Sequence, residues 1–264
     1  MPVTTLEATG LGDLLARVLE IGRTLPRDAF LWYRGLDCPS YGLVPKIMRD
    51  GKDERQVFDR ERRLLTRFRQ RSLAYWAAGY PQNDWEHLFA MQHYGMPTRL
   101  LDWSENLFVA AHFALAKQPN HQHTGPCVPV IWCVNPVEWN RSTPLLSEYG
   151  QAIQVLTTAD EELDSYRPET NKRRLRSPLA IFGTHNSNRI VAQRGTFMIW
   201  GNEVKTLQAF SEEQSATLWQ INLMGDRDEL ARSLRLLGFS ETMVFPELPS
   251  LASELSMVEG WRDA

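Results

Sequence analysis

The densest group of side chains that could do chemistry lies between residues 92 and 104. The run reads Gln-His-Tyr-Gly-Met-Pro-Thr-Arg-Leu-Leu-Asp-Trp-Ser and contains an imidazole, a phenol, a guanidinium and a carboxylate. Gly95 and Pro97 interrupt regular structure, which predicts a short loop between two helices. Loops that hold such side chains on a rigid frame commonly carry function.

A second candidate is the arginine that follows the apolar run at 30–33. This run predicts a strand, and Arg34-Gly35 comes directly after it. A guanidinium can bind a phosphate through two parallel hydrogen bonds, and a glycine lets the backbone approach a ligand. The alternative is an ordinary salt bridge at the end of a strand. Together with the first run, Arg34 predicts a pocket for a polar, anionic ligand.

Other interpretations of the first run remain open. Arg99 and Asp102 lie three residues apart beside Trp103, so they can shape a pocket or form a buried ion pair that fixes the loop. His93 and Tyr94 end a helical pattern, where a histidine can simply interact with the last carbonyl groups.

The composition is typical of a soluble globular protein. Of the 264 residues, 43% are hydrophobic and 23% are charged, and the net charge of −3 gives no overall attraction to nucleic acid or to an anionic membrane. The sequence shows no signal-peptide pattern and no apolar run of bilayer length, which predicts a cytoplasmic protein. The three cysteines, Cys38, Cys127 and Cys133, are widely spaced, which predicts reduced and mostly buried thiols.

Common cofactor and metal motifs are absent from the sequence. It contains no Walker loop, no GxGxxG and no GxSxG motif. His121 and His123 have no second pair of ligands at the spacing of a metal site, so no metal is predicted.

Hydrophobic periodicity predicts alternating helices and strands around these residues. Helices are expected over 8–24, 54–72, 84–92, 106–117 and 226–237, and again after Pro246. Strands are expected over 30–33, 128–134, 189–192, 196–200, 217–223 and 243–245. This order favours a single α+β domain with a mixed or antiparallel central sheet flanked by helices. Segment 36–50 is expected to be an extended loop, and 140–187 is either a lid or a flexible insertion.

Two basic clusters allow an interaction with nucleic acid. The helix over 54–72 carries seven arginines between Arg55 and Arg71, and a second cluster lies at 172–176. These residues could follow a phosphate backbone, or the helix could be solvated and stabilised by internal ion pairs such as those of Glu61. The acidic overall balance favours the solvated helix.

The motifs resemble the FRG domain. The resemblance rests on Tyr33-Arg34-Gly35, on the run from Gln92 to Ser104, and on further blocks at 188–197 and 238–248. It spans about residues 15–255 of a single domain that extends over 1–264.

A looser similarity connects the chain with the ADP-ribosyltransferase fold. In that family an early strand ends in Tyr-Arg-Gly, and its arginine binds the phosphate or ribose side of NAD. A later strand of that family precedes a helix rich in Ala and Phe, much as 101–104 precede 109–114 here. The family's Gln/Glu-x-Glu element is most similar to Gln193-Arg194-Gly195, where Gly195 replaces the glutamate that stabilises charge as nicotinamide leaves. Either Asp102, Glu203 or Glu247 replaces it, or the pocket binds a nucleotide without this chemistry.

The resemblance also implies a set of roles. Arg34 and Arg99 would contact the pyrophosphate or ribose of NAD, His93 and Tyr94 would orient the ribose or stack on a ring, and Gln193 would contact the ribose. Asp102 would position Arg99 or act as an acid, and the remaining expected contacts are Gly35, Thr98 and Ser104. The implied function is that of an NAD-dependent ADP-ribosyltransferase or NAD glycohydrolase acting as a toxin or antiphage defence effector. The alternative is a non-catalytic module that binds a nucleotide or nucleic acid.

Overall fold

Eight strands form one mixed sheet in the described part of the chain. The computed structural model describes residues 3–40, 42–51, 53–76, 79–116, 127–144, 146, 154–184 and 187–261. The strands are β1 (Val3–Ala8), β2 (Trp32–Leu36), β3 (Leu100–Ser104), β4 (Val130–Val134), β5 (Leu156–Thr157), β6 (Leu179–Phe182), β7 (Gly195–Ile199) and β8 (Leu218–Leu223). The predicted α+β class with a mixed sheet is confirmed.

Helices flank this sheet. They are α1 (Leu11–Thr24), α2 (Glu54–Ser72), α3 (Asp84–His93), α4 (Leu107–Leu115), α5 (Pro136–Ser142), α6 (Asn188–Ala192), α7 (Leu207–Gln214), α8 (Arg227–Leu236), α9 (Glu241–Val244) and α10 (Leu248–Val258). Short 3₁₀ turns occupy Lys46–Met48, Leu73–Tyr75 and Glu161–Tyr166. In the described part of the chain, no helix combines the length and apolar character needed to cross a bilayer.

The sheet order is β1-β8-β4-β2-β3-β7-β6-β5, with parallel pairs at the two edges and antiparallel pairs between them. β2 pairs with β4 along its whole length, from Trp32 to Leu36. On its other side, β2 pairs with β3 only between Tyr33 and Ser104. The sheet therefore opens between β2 and β3 beyond this one pair.

Close packing of α4 on β2 explains the glycine of the Tyr-Arg-Gly motif. A Cβ atom at Gly35 would lie 1.8 Å from the carbonyl oxygen of Ala110 and 2.7 Å from the backbone nitrogen of Ala114. Gly35 is thus needed for the approach of a helix, whereas the sequence had suggested the approach of a ligand.

Apolar cores cover both faces of the sheet. One face packs against α1, α4 and α8 through buried residues such as Leu14, Ala111 and Leu234. The other face is rich in tryptophan, including Trp32, Trp132, Trp139 and Trp200, which agrees with the high tryptophan content of the sequence.

Several predicted elements differ from the structure. Residues 100–104, expected within a loop, form the strand β3. The sequence did not predict the strand β1, most of whose side chains are not buried. The strands expected at 189–192 and 243–245 are the short helices α6 and α9. At α6 the Ser187 side chain accepts a hydrogen bond from the backbone N–H of Ile190, and this N-cap outweighs the β-branched residues that suggested a strand. Segment 140–187 contains the end of α5 together with β5 and β6, while parts of it, like His121 and His123, lie outside the described residues.

The cysteine prediction is wrong for two of the three residues. Cys38 and Cys127 form a disulfide with Cα atoms 5.0 Å apart, although 89 residues separate them in sequence. Cys133 is a buried free thiol in β4, and its burial raises its pKa. Sequence spacing could not reveal the disulfide, because the fold brings the two cysteines together.

Candidate functional site

A cavity of about 430 Å³ lies where β2 and β3 separate. Its walls come from β2, β3, β7, α3, α4 and α6. The predicted site residues that line it are Arg34, Gly35, His93, Asp102, Ser104 and Gln193. Residues from distant parts of the sequence thus meet in one cavity.

Arg34 crosses the opening between the two strands. Its Nη1 atom donates a 2.6 Å hydrogen bond to the main-chain oxygen of Asp102 and lies 4.0 Å from Oδ2 of the same residue. Burial lowers the pKa of Arg34 to about 10, although the Asp102 charge raises it, and the Arg49 charge lowers it further. The side chain therefore remains cationic at neutral pH.

Three residues that line the cavity each have a buried polar atom without a partner. Nε of Arg34, Nε1 of Trp103 and Oγ1 of Thr196 are buried and have no hydrogen-bond partner among the described residues. A buried donor without a partner costs about 1–3 kcal/mol.

A short chain of hydrogen bonds orients the Asp102 carboxylate. Oδ2 of Asp102 accepts a 2.7 Å bond from Nε2 of Gln92, and Oε1 of Gln92 accepts a bond from the Thr98 hydroxyl. Gln92 lines the cavity but was not predicted as a site residue. Thr98 was predicted to contact the ligand, but it is fully buried, does not line the cavity, and instead orients Gln92.

His93 supplies a neutral imidazole to the same wall. Burial and the nearby charge of Arg189 lower its pKa from the ordinary value, while Glu247 and Asp102 act in the opposite direction. The net shift is downward, so the ring is mostly uncharged at pH 7. Its Nδ1 atom lies 3.4 Å from the Ser187 hydroxyl.

The charged side chains that line the cavity favour the binding of an anion. Arg49 and Arg189 join Arg34 in the wall, against the carboxylates of Asp37 and Asp102. The Arg189 guanidinium also lies 4.4 Å above the ring of Phe245. Arg49 and Arg189 were not predicted as site residues. The one sequence signal for either of them is that Arg189 lies in the block at 188–197 that resembles the FRG domain.

Ser104 and Gln193 line the cavity while fixing its walls. The Ser104 hydroxyl donates a 2.7 Å bond to the main-chain oxygen of Gln193 and accepts one of 2.9 Å from the backbone nitrogen of Asn106. The Gln193 side chain donates to the main-chain oxygen of Val244 at 3.1 Å. These bonds connect β3, the start of α4 and the end of α9.

Two predicted ligand contacts lie elsewhere. Arg99 is fully buried outside the cavity, where its Nε atom donates to Glu61 at 2.6 Å and its terminal nitrogens donate to the main-chain oxygens of Trp200 and Tyr166. Arg99 therefore forms a buried ion pair that stabilises the fold. Its partner is Glu61, and not Asp102 as the sequence had suggested. Tyr94 is 67% exposed and lines a different groove, so the structure does not place it in the wall of the cavity.

Of the three acids that the sequence offered, Asp102 lines the cavity. Glu203 instead forms ion pairs with Arg176 and Lys205. Glu247 influences the His93 charge without lining the cavity. Among the described residues, no group of three or more His, Cys, Asp or Glu side chains is placed to hold a metal ion.

Comparison with known proteins identifies one family. Residues 29–123 match the family model of the FRG domain, a shorter range than the 15–255 expected from the motifs. The match includes β2, α2, α3, β3 and α4, which carry both the Tyr-Arg-Gly motif and the run at 92–104. No curated protein and no solved structure is significantly similar to the chain. Residues 29–123 of this chain are an FRG domain.

Proposed function

We propose that the cavity binds NAD and that the protein cleaves the bond between nicotinamide and ribose. The observation that carries this proposal is the cationic Arg34, which lies beside Asp102 at the opening of the sheet and has an unpaired buried Nε atom. The cavity volume of about 430 Å³ falls within the range of small-molecule sites.

The three arginines of the wall suit the pyrophosphate. Guanidinium groups bind phosphate oxygens through paired hydrogen bonds, and Arg34, Arg49 and Arg189 present three of them to one cavity. The buried donors of Arg34 and Trp103 would find acceptors on the same ligand.

Asp102 is the proposed catalytic carboxylate. As the C–N bond breaks, nicotinamide leaves with the bonding electron pair and positive charge develops on the ribose. A carboxylate held in place by Gln92 would stabilise that charge, as the glutamate absent at position 195 does in ADP-ribosyltransferases. Water or a nucleophile on a target then bonds to the ribose carbon and loses its proton to the solvent. This chemistry would serve a toxin or antiphage defence effector, the role that the resemblance implies.

A non-catalytic nucleotide-binding module is the second candidate. It is favoured by Gly195, which offers no carboxylate where the transferases have one, and by the 53% exposure of the Asp102 side chain, which weakens its electrostatic effect.

The test measures nicotinamide release from NAD by chromatography for the wild type, Asp102→Asn and the control Arg232→Ala. Asparagine keeps an oxygen for Gln92 but removes the charge, so we expect a loss of turnover of at least about 100-fold with unchanged thermal stability and retained ADP-ribose binding. Arg232 is 65% exposed on α8 and should behave as wild type.

Other results would change the assignment. Binding of ADP-ribose without nicotinamide release by the wild type would support the binding module. The absence of both release and ligand-induced thermal stabilisation would refute a nucleotide site.

A further inference from the structure

A second concave surface lies next to the cavity and has a different character. This aromatic groove has a volume of about 510 Å³ and is lined by Phe68, Arg71, Ser72, Tyr75, Trp76 and Tyr94. It lies at the C-terminal end of α2 and is mostly apolar, with an arginine at its edge. The NAD proposal does not use it.

Two rings of the aromatic groove are exposed, and one of them, Tyr94, packs against the Trp76 ring. Tyr75 is 85% exposed and Tyr94 is 67% exposed. Trp76 contacts the rings of Phe68 and Tyr94 edge-on, with centroids 6.1 and 6.4 Å apart, and its Nε1 atom donates to the Ser72 hydroxyl. Large exposed rings on a fixed support are suited to stacking against flat, apolar ligand groups.

A stripe of arginines leads along α2 to the groove. Arg63, Arg67 and Arg71 recur every four residues, which places them on one side of the helix. All three are exposed, and none has an acidic partner among the residues that the structure describes. A cation is stabilising near the C-terminus of a helix, which explains Arg71 but does not explain Arg63 and Arg67.

The ion pairs expected within α2 do not neutralise this stripe. From Arg62 to Ser72 the helix contains no acidic residue. Glu61 is buried and pairs with Arg99, while Asp59 pairs with Arg62. Repulsion along the stripe therefore persists without a ligand, and an anionic chain would relieve it.

We infer that the arginine stripe and the aromatic groove together bind single-stranded nucleic acid. The stripe would follow the phosphates, and unstacked bases would stack on Tyr75 and Tyr94. Bases of a duplex are already stacked and cannot reach these rings. His93, which lines the cavity, contacts Tyr94 with ring centroids 4.7 Å apart, so a strand in the groove lies beside the cavity.

Fluorescence anisotropy with labelled single-stranded RNA and DNA oligonucleotides tests this inference. The double variant Arg63→Ala/Arg67→Ala removes two stripe charges, and the control Arg62→Ala/Arg232→Ala removes two exposed charges that are paired with acids. We expect at least about 10-fold weaker binding for the first variant. The slope of log K against log salt concentration should also be shallower by about 1.4, because each lost phosphate contact changes it by about 0.7. Tyr75→Ala should weaken binding by about 10-fold because a stacking partner is lost.

The inference fails if the wild type binds no oligonucleotide at protein concentrations of about 10⁻⁴ M and low salt, since nonspecific nucleic-acid binding is measurable there. It also fails if both double variants lose affinity equally, or if a duplex competes as well as a single strand. All substituted residues are exposed, so circular dichroism should show unchanged folding. None of these outcomes depends on nicotinamide release, so this inference and the NAD proposal can fail separately.

Discussion

Replacing Arg99 by alanine should greatly destabilise the protein without acting through a ligand. The substitution removes the Arg99 contacts to Glu61, Trp200 and Tyr166 and leaves the Glu61 carboxylate without its cation. Both side chains of the ion pair are fully buried, so the Glu61 carboxylate that remains is not exposed to bulk solvent. One change thus loosens the packing between α2, β3, the end of β7 and the 3₁₀ turn that ends at Tyr166.

The structure sets the expected magnitude. Breaking a buried ion pair by removing one partner costs about 3–5 kcal/mol, because a charge is left uncompensated. For a chain of this size, each kcal/mol corresponds to roughly 2–4 °C in melting temperature, so a decrease of about 6–20 °C is expected. The Arg99 guanidinium also lies 4.4 Å above the Phe58 ring, and loss of this contact adds to the cost.

Urea denaturation and thermal melting measure the effect, with Glu61→Met/Arg99→Met as the matched variant. Replacing both partners by apolar side chains removes the buried charge, so the double variant should be more stable than Arg99→Ala. The control Arg232→Ala removes an exposed arginine and should change stability by less than about 0.5 kcal/mol.

The opposite result would refute this reasoning. If Arg99→Ala melted like the wild type but lost ADP-ribose binding, Arg99 would be a ligand contact, as the sequence suggested. If the double methionine variant were no more stable than Arg99→Ala, the cost would not come from the unpaired Glu61 charge.

Two further predictions concern the cavity walls. Gly35→Ala would place a Cβ atom 1.8 Å from the Ala110 carbonyl oxygen, so α4 must move. We expect urea denaturation to show a free energy of unfolding that is lower by at least about 3 kcal/mol. A decrease below about 1 kcal/mol would show that α4 does not pack closely on β2. Because the pKa of His93 is lowered in the folded state, the unfolded chain binds more protons as pH falls through about 6.5, and stability decreases there. Urea denaturation between about pH 5 and 7 should show a shallower decrease for His93→Gln than for the wild type, and an equal decrease would contradict the shift.

Local signals in the sequence were enough to locate the long helices and the candidate motifs. The arginine-rich pattern over 54–72 corresponds to α2, and Asn83 caps α3 through a side-chain bond to the backbone nitrogen of Glu86. Caps and periodic apolar residues act over one or two helical turns, so they can be read from neighbouring residues. The short elements α6 and α9 were mistaken for strands because a few β-branched residues do not distinguish the two conformations.

The partners of the charged residues depended on the fold. Nothing in the local sequence indicates that Arg99 pairs with Glu61 across 38 residues, or that Arg34 bonds to the main chain of Asp102 across 68 residues. A charged side chain makes its energetically important contacts with whichever group the packing brings near, and sequence separation does not limit that choice.

The sequence by itself determined the α+β class, the FRG motifs and the residue types that we propose bind an anion. These properties follow from composition, periodicity and local turn chemistry, which the chain carries in any conformation. Only the tertiary structure decided that β2 and β3 separate, that Arg34, His93 and Asp102 share one cavity, and that Arg99 and Tyr94 do not. The physical reason is that strand pairing and side-chain burial are cooperative properties of the whole sheet, and no short segment specifies them alone.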